Sequence, residues 1–281
     1  KWRRPADQMT PNLNEPLQNS LLWVYEGQTQ YWGNVLAARS GMRPLPASID
    51  ALALVAAAYA DNRPGLSWRG IQDTTNDPIV VGRAPRAYLN YQMSEDYYRG
   101  GQMIWLEADA LIRAKSGGRK SLDDFARAFF GINDGEWKTQ ATYTFEDVVA
   151  TLNGVQPHDW TTFLRDRLDG KTGLTGGIEA SGWKLVYKDE PNAFAKSSSA
   201  RGGGGDPGVQ GRLQRRAEGV PRPALAERAQ GQDGAAAGHR RQPAPHAGAR
   251  LRAAPGAAVA WRQAYTARGL CLGQPDPERR G

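Results

Sequence analysis

Residues 21–31 read LLWVYEGQTQY, and this stretch decides how the first helix of the chain is interpreted. With 3.6 residues per helical turn, one face carries Leu22, Glu26, Thr29, Gly33 and Leu36, so the pattern places a carboxylate in an apolar stripe. A buried carboxylate without a partner is costly, and it normally binds a cation, several hydrogen-bond donors or a metal ion. The helix pattern alone therefore leaves two interpretations of Glu26: a core residue paired with an arginine, or a metal ligand.

Two glycines interrupt the same helix. Gly27 and Gly33 each cost on the order of 1 kcal/mol relative to alanine in a helix interior. A helix that carries this cost twice predicts that another part of the molecule approaches its backbone closely at both positions.

The stretch WVYEGQTQY, residues 23–31, closely resembles the third-ligand helix of gluzincin metallopeptidases. The wider run from residue 3 to residue 41 is similar to the glycyl aminopeptidase family with a C-terminal PDZ domain. In that family a preceding HExxH helix supplies two zinc-binding histidines and a general-base glutamate. The resemblance implies that Glu26 is the third ligand and that Zn²⁺ is the cofactor.

The HExxH helix itself is not in this sequence. Its histidines are His158, His239 and His246, and none has a partner at helical spacing. The chain opens at Lys1 with residues that resemble the family sequence shortly after HExxH. We therefore expect a fragment whose N-terminal boundary falls inside the active site, and we expect it to bind zinc weakly and to be inactive alone.

Residues 94–106, SEDYYRGGQMIWL, resemble the YxxG helix start that gluzincins place opposite the zinc. The resemblance implies that a tyrosine hydroxyl donates a hydrogen bond to the oxyanion of the tetrahedral intermediate. Tyr98 lies three residues before Gly101, as the pattern requires, and Tyr97 is the alternative. The family usually has lysine where this chain has Gly100. Without Glu26, both tyrosines would be read as ordinary aromatic residues at a helix start.

The predicted fold is mainly α: the helical C-terminal half of a gluzincin, thermolysin-like catalytic domain, followed by a small helical bundle. Capping and glycine signals predict helices that begin at Asn19 or Ser20 and end at Gly41, and others over about 49–60, 94–115, 121–131 and 157–168, with a further helix that starts at Thr144. A long loop is expected over 63–91, with one short strand near 77–81, and a strand over 183–187. No apolar run approaches the roughly 20 residues needed to span a bilayer.

Three parts are predicted along the chain: a partial catalytic domain (1–93), a helical bundle (94–196) and a low-complexity tail (197–281) in place of a PDZ domain. The net charge of +7 comes from the tail, which holds 14 arginines, no lysine and six acidic residues. Its lack of isoleucine, phenylalanine and methionine predicts that it does not pack on the rest. A frameshifted reading and a natural arginine-rich arm both explain the composition, so we expect no nucleic-acid partner from it.

Other candidate chemistry is weak. The pairs Asp123–Asp124 and Glu146–Asp147 lie in predicted first helical turns, where capping and the helix dipole explain them. His158 follows a proline and is interpreted as a surface residue. The single cysteine, Cys271, provides neither a disulfide framework nor a thiolate metal site.

Through the resemblance, the complete protein is expected to be a zinc aminopeptidase that removes small N-terminal residues such as Gly or Ala from peptides. The alternative from another class is a non-catalytic helical interaction module, and a glycosidase that uses Glu26 with a second carboxylate is more distant. The compartment, bacterial periplasm or cytoplasm, and the oligomeric state stay open.

Overall fold

A computed structural model describes residues 3–61, 64–77, 93–133, 136, 141–170, 174–187, 192–194 and 250–253. The described part is mostly helical, which confirms the predicted fold class. Its α-helices are α1 (Leu22–Arg39), α2 (Leu45–Asp61), α3 (Asp96–Lys115), α4 (Leu122–Phe130), α5 (Phe145–Val155), α6 (Trp160–Leu168) and α7 (Gly176–Ala180). Short 3-10 helices cover Ala6–Gln8, Pro64–Ser67 and Gln72–Asn76. None of the described helices is long and apolar enough to cross a membrane.

Helices α1 and α3 pack against each other at two glycines. A Cβ atom placed on Gly27 would lie 2.9 Å from the Gly101 Cα, so the two backbones meet without intervening side chains. One turn away, the indole rings of Trp23 and Trp105 stack with centroids 5.8 Å apart. The Trp105 Nε1–H also donates to the Trp23 carbonyl oxygen at 3.0 Å. The close approach predicted at Gly27 is therefore confirmed.

Because of this packing, the face of α1 that is buried differs from the face that the sequence pattern predicted. The buried residues of the helix are Leu22, Trp23, Val24, Gly27, Gln28, Tyr31 and Val35. Glu26 is only half-buried, Thr29 and Gly33 are exposed, and Leu36 is 52% exposed. The prediction of a buried carboxylate is wrong, because the large aromatic side chains on the neighbouring face fill the core. The prediction for Gly33 is wrong as well, since no atom lies within 4 Å of its Cβ position.

The three helices α4, α5 and α6 form the predicted bundle beside α3. The capping boxes at Ser121 and Thr144 are both present, completed by Asp124 and Asp147. Gly41, Gly117 and Gly118 have positive φ after α1 and α3, as expected of residues that end helices. The start of α1 differs from the prediction: Leu21 is the N-cap. The residues expected there bind elsewhere, since the Ser20 hydroxyl donates to Asp7 and the Asn19 side chain accepts from Gln8.

Two small sheets complete the described fold. Strand β1 (Arg3–Pro5) pairs in parallel with β2 (Ala141–Tyr143), and the Arg3 guanidinium lies 4.3 Å from the centre of the Phe129 ring. Strand β3 (Trp183–Val186), which was predicted, pairs antiparallel with β4 (Arg250–Ala253). The expectation that nothing after Ser199 packs on the helical part is therefore wrong for β4, because backbone pairing does not need bulky side chains. The strand expected near residues 77–81 lies outside the described residues.

The contact between α1 and α3 at Gly27 and Gly101 is called the glycine crossing below. It predicts opposite effects for two alanine substitutions on α1. Gly27→Ala should lower the free energy of unfolding by about 1–3 kcal/mol, because the new methyl group meets backbone that cannot move aside. Gly33→Ala is the matched control and should raise that free energy by roughly 0.5–1 kcal/mol, since the site is open. Urea unfolding of both variants measures the difference, and equal stabilities would contradict the crossing.

Candidate active site

The structure brings the two residues singled out by the sequence motifs close together. Glu26 lies at the open side of α1, and Tyr98 lies in the first turn of α3. The Tyr98 hydroxyl lies close enough to the Glu26 carboxylate for the charge of Glu26 to raise the pKa of the phenol. The glycine crossing explains this proximity, because Glu26 is adjacent to Gly27 and Tyr98 is almost one turn before Gly101. The YxxG spacing thus brings the hydroxyl to the carboxylate.

Tyr97 and Tyr98 have different environments. Tyr97 is 3% exposed and belongs to the hydrophobic core, whereas Tyr98 is half-buried and only packs against that core. Their rings are in contact, with centroids 4.9 Å apart. Burial raises the pKa of the Tyr97 hydroxyl, with smaller contributions from the charges of Glu95 and other acidic groups. The hydroxyl placed beside Glu26 is therefore that of Tyr98.

The electrostatics of this pair favour the protonated phenol. Burial raises the pKa of Tyr98 to about 12, and the negative charges of Glu26 and Glu95 act in the same direction. Near neutral pH the side chain is therefore a hydrogen-bond donor and not a phenolate. Glu95 was not singled out from the sequence, where it is one of several acidic residues near the helix start.

The backbone that leads into α3 is strained. Met93 and Glu95 have φ angles of 50° and 58°, in the left-handed region that residues with a Cβ rarely adopt. Met93 is fully buried, and Glu95 is the N-cap residue of α3 without making a side-chain capping bond. Strain of this kind persists only where surrounding contacts fix the conformation, and it is common at functional sites.

The described residues fit one ligand position of a metal site. Glu26 offers a half-buried carboxylate at the open side of α1, which suits a cation ligand. Among the described residues no group of three His, Cys, Asp or Glu side chains could hold a metal ion. His158, interpreted as a surface residue, is half-buried with its ring against Trp160 and Phe163 in the bundle. His239 and His246 lie outside the described residues.

The other carboxylates considered from the sequence have structural roles. Asp124 and Asp147 accept from the backbone N–H groups of Ser121 and Thr144 and so complete the capping boxes. Asp123 forms a two-pronged ion pair with Arg39, at 2.6 and 2.8 Å, which joins α4 to α1. The interpretation of these residues as caps is confirmed for both pairs.

An open cleft of about 250 Å³ lies along the side of α1. Its walls are mainly aromatic, and the lining residues are Arg3, Tyr25, Gln28, Thr29, Trp32, Phe130 and Tyr143. Gln28 is 2% exposed, and its side-chain amide nitrogen has no hydrogen-bond partner in the structure described. The cleft therefore combines apolar walls with one buried donor, a combination suited to an apolar group that carries a carbonyl oxygen.

The fold resembles part of a solved structure of an aminopeptidase N family protein. A crystal structure of an aminopeptidase N family protein from Idiomarina loihiensis matches the chain with a TM-score of 0.51 and 21% sequence identity. The match covers 67% of this chain and 32% of that protein, so the chain spans about a third of its structural neighbour. A comparison with curated proteins gives no match.

A family model matches the first part of the chain. Residues 1–104 match the model of the M61 glycyl aminopeptidases, a peptidase family. The matched region contains Glu26, Tyr97 and Tyr98, so the resemblance carried by their motifs is confirmed.

The Glu26–Tyr98 pair predicts a measurable change in the titration of the phenol. In Glu26→Gln the pKa of Tyr98 should fall from about 12 towards the usual value, because the neutral amide no longer opposes the phenolate charge. Ultraviolet difference titration measures ionisation, and Tyr98→Phe identifies the group that responds. An unchanged titration in Glu26→Gln would show that the two side chains do not interact.

We predict that the 281-residue chain does not bind zinc tightly. One carboxylate provides little of the free energy that a set of three or four ligands provides together. Isothermal titration calorimetry with Zn²⁺ measures this, with Glu26→Ala as the matched variant. Tight stoichiometric binding that disappears in Glu26→Ala would mean that other residues of this chain complete the site.

Proposed function

We propose that this chain is part of a zinc-dependent aminopeptidase and carries its third metal ligand, Glu26, and its oxyanion donor, Tyr98. The two histidine ligands and the general-base glutamate would come from an HExxH segment preceding Lys1. The substrate would be a peptide with a small N-terminal residue such as Gly or Ala, as in the family that residues 1–104 match. The chain alone would be inactive.

The proximity of Tyr98 to Glu26 is the observation that carries this proposal. The two residues come from separate motifs. The family resemblance assigns the third metal ligand to one motif and the oxyanion donor to the other. The fold brings them together at the open side of α1. Two unrelated structural residues would not be expected to occupy both motif positions and also to lie together at an accessible surface.

The properties of Tyr98 suit the proposed role. Because its pKa is about 12, the hydroxyl keeps its proton at neutral pH and can donate to an oxygen that becomes negatively charged. In this structure the hydroxyl lies beside the Glu26 carboxylate. In the complete protein the peptide carbonyl oxygen would be its acceptor when it develops negative charge.

The metal would be held by Glu26 through a carboxylate oxygen together with ligands from outside the described residues. Zinc, when bound, acts as a Lewis acid on the peptide carbonyl. The contributions of this chain would be to fix one ligand on a rigid helix and to place a neutral donor beside it. Residues 1–93 would then form part of the catalytic domain, 94–196 a helical domain behind it, and 197–281 a tail that contributes strand β4.

A longer chain that includes the upstream HExxH segment provides the test of function. Glu26→Gln should lose bound zinc and peptidase activity together. Tyr98→Phe should keep zinc and lower kcat by roughly 10²-fold or more, because it removes only the oxyanion donor. Hydrolysis of an alanine-derived chromogenic substrate and metal analysis measure the two quantities.

Tyr97→Phe is the matched control for this experiment, since it removes the hydroxyl of the neighbouring tyrosine, which is buried in the core. Its activity should equal that of the wild type. Full activity in Tyr98→Phe would exclude the oxyanion assignment, and a loss confined to Tyr97→Phe would move that assignment by one residue. Absence of an HExxH segment upstream would favour a non-catalytic helical module.

A further inference from the structure

The start of α3 is held by two residues from other parts of the chain. The Tyr59 hydroxyl, at the end of α2, donates to the Asp96 carboxylate at 2.6 Å. The Thr74 hydroxyl oxygen, in the 3-10 helix Gln72–Asn76, accepts from the Tyr97 backbone N–H at 3.1 Å. Tyr59, Thr74 and Asp96 are all buried, with 2%, 0% and 5% of their surfaces exposed. Both contacts fall within two residues of Tyr98.

Thr74 provides the capping hydrogen bond that the N-cap residue of α3 does not make. The first N–H groups of an α-helix have no acceptor within the helix, and an N-cap side chain normally accepts from one of them. Glu95, the N-cap of α3, is left-handed and makes no such bond. Instead, Thr74 reaches from another segment to accept from Tyr97, while its own hydroxyl hydrogen goes to the Ile71 carbonyl oxygen at 2.7 Å.

The two contacts also account for the strained backbone before the helix. A left-handed Met93 and a left-handed Glu95 are unfavourable in isolation, so surrounding contacts must impose them. Tyr59 fixes Asp96 and Thr74 fixes Tyr97, the two residues that directly follow the strained segment. A helix start that is fixed in this way also fixes the backbone from which the next side chain, Tyr98, projects.

We propose that Tyr59 and Thr74 are positioning residues that hold the first turn of α3 so that the Tyr98 hydroxyl stays beside the Glu26 carboxylate. Both act through their bonds to Asp96 and Tyr97. The inference deepens the proposed function, on which it rests. It makes Tyr59 and Thr74 determinants of the oxyanion donor's geometry.

The test uses the 281-residue chain with tyrosine labelled at its ζ carbon, observed by NMR at neutral pH. The Tyr98 resonance is assigned with Tyr98→Phe, and Glu26→Gln gives its position when the carboxylate charge is lost. In Tyr59→Phe and in Thr74→Val the resonance should move in the direction seen for Glu26→Gln. In Thr74→Val the Tyr97 amide should also exchange about tenfold faster, the factor that one lost hydrogen bond typically gives.

Two controls separate positioning from general stability. Thr74→Ser keeps the hydroxyl and should restore the wild-type Tyr98 resonance. Tyr31→Phe removes the hydroxyl of another buried tyrosine and should leave the Tyr98 resonance in place even if its Tm falls as far as that of Tyr59→Phe. Because Tyr59→Phe and Thr74→Val remove different bonds, either variant with a wild-type circular dichroism spectrum is sufficient for the test.

A Tyr98 resonance that stays at the wild-type position in the folded variants overturns the positioning role. That result would leave the proposed function intact, since the function is decided by the activity of Tyr98→Phe in the longer chain. Conversely, full activity of Tyr98→Phe would refute the oxyanion role without changing the NMR result. The two failures are therefore distinguishable.

Discussion

The contact between the backbones of Gly27 and Gly101 is the constraint on which the rest of this structure depends. It allows α1 and α3 to approach until a Cβ on either glycine would lie 2.9 Å from the other's Cα. At that separation the Trp23 and Trp105 rings can stack, and the Trp105 indole can reach the Trp23 carbonyl oxygen. The bundle then builds outward from Trp105, whose ring lies against Phe125.

The same contact determines where the chemistry is placed. Each glycine follows a polar residue of its own helix at a fixed spacing in the sequence. Glu26 immediately precedes Gly27, and Tyr98 precedes Gly101 by three residues. Helix geometry therefore brings the carboxylate and the hydroxyl to one side of the crossing. Burial on the Tyr98 side raises the pKa of the phenol further above its usual value, which is already well above neutral pH.

Local signals in the sequence were enough to predict most of the helices, whereas Glu26 and Tyr98 were singled out through the family resemblance. Capping boxes at Ser121 and Thr144 and the glycine after α1 involve neighbours only a few residues apart, so the sequence pattern determines them. The side of α1 that is buried could not be predicted, because the stripe through Leu22 and Leu36 competes with one through Trp23 and Tyr31. The larger aromatic surface prevailed. The bonds from Tyr59 and Thr74, and the pairing of β4, depend on distant residues and leave no local signal.

The glycine crossing also limits what a comparison of related sequences could reveal about it. Most packed pairs can exchange volume, so that a larger residue on one side is accommodated by a smaller one on the other. Here an added methyl group at Gly27 would meet the Cα and carbonyl carbon of position 101 and the Tyr97 carbonyl oxygen, which every residue type possesses. No compensating substitution exists, so the two positions should be invariant and not covary. A closely packed contact of this kind would be missed by methods that infer proximity from correlated substitutions.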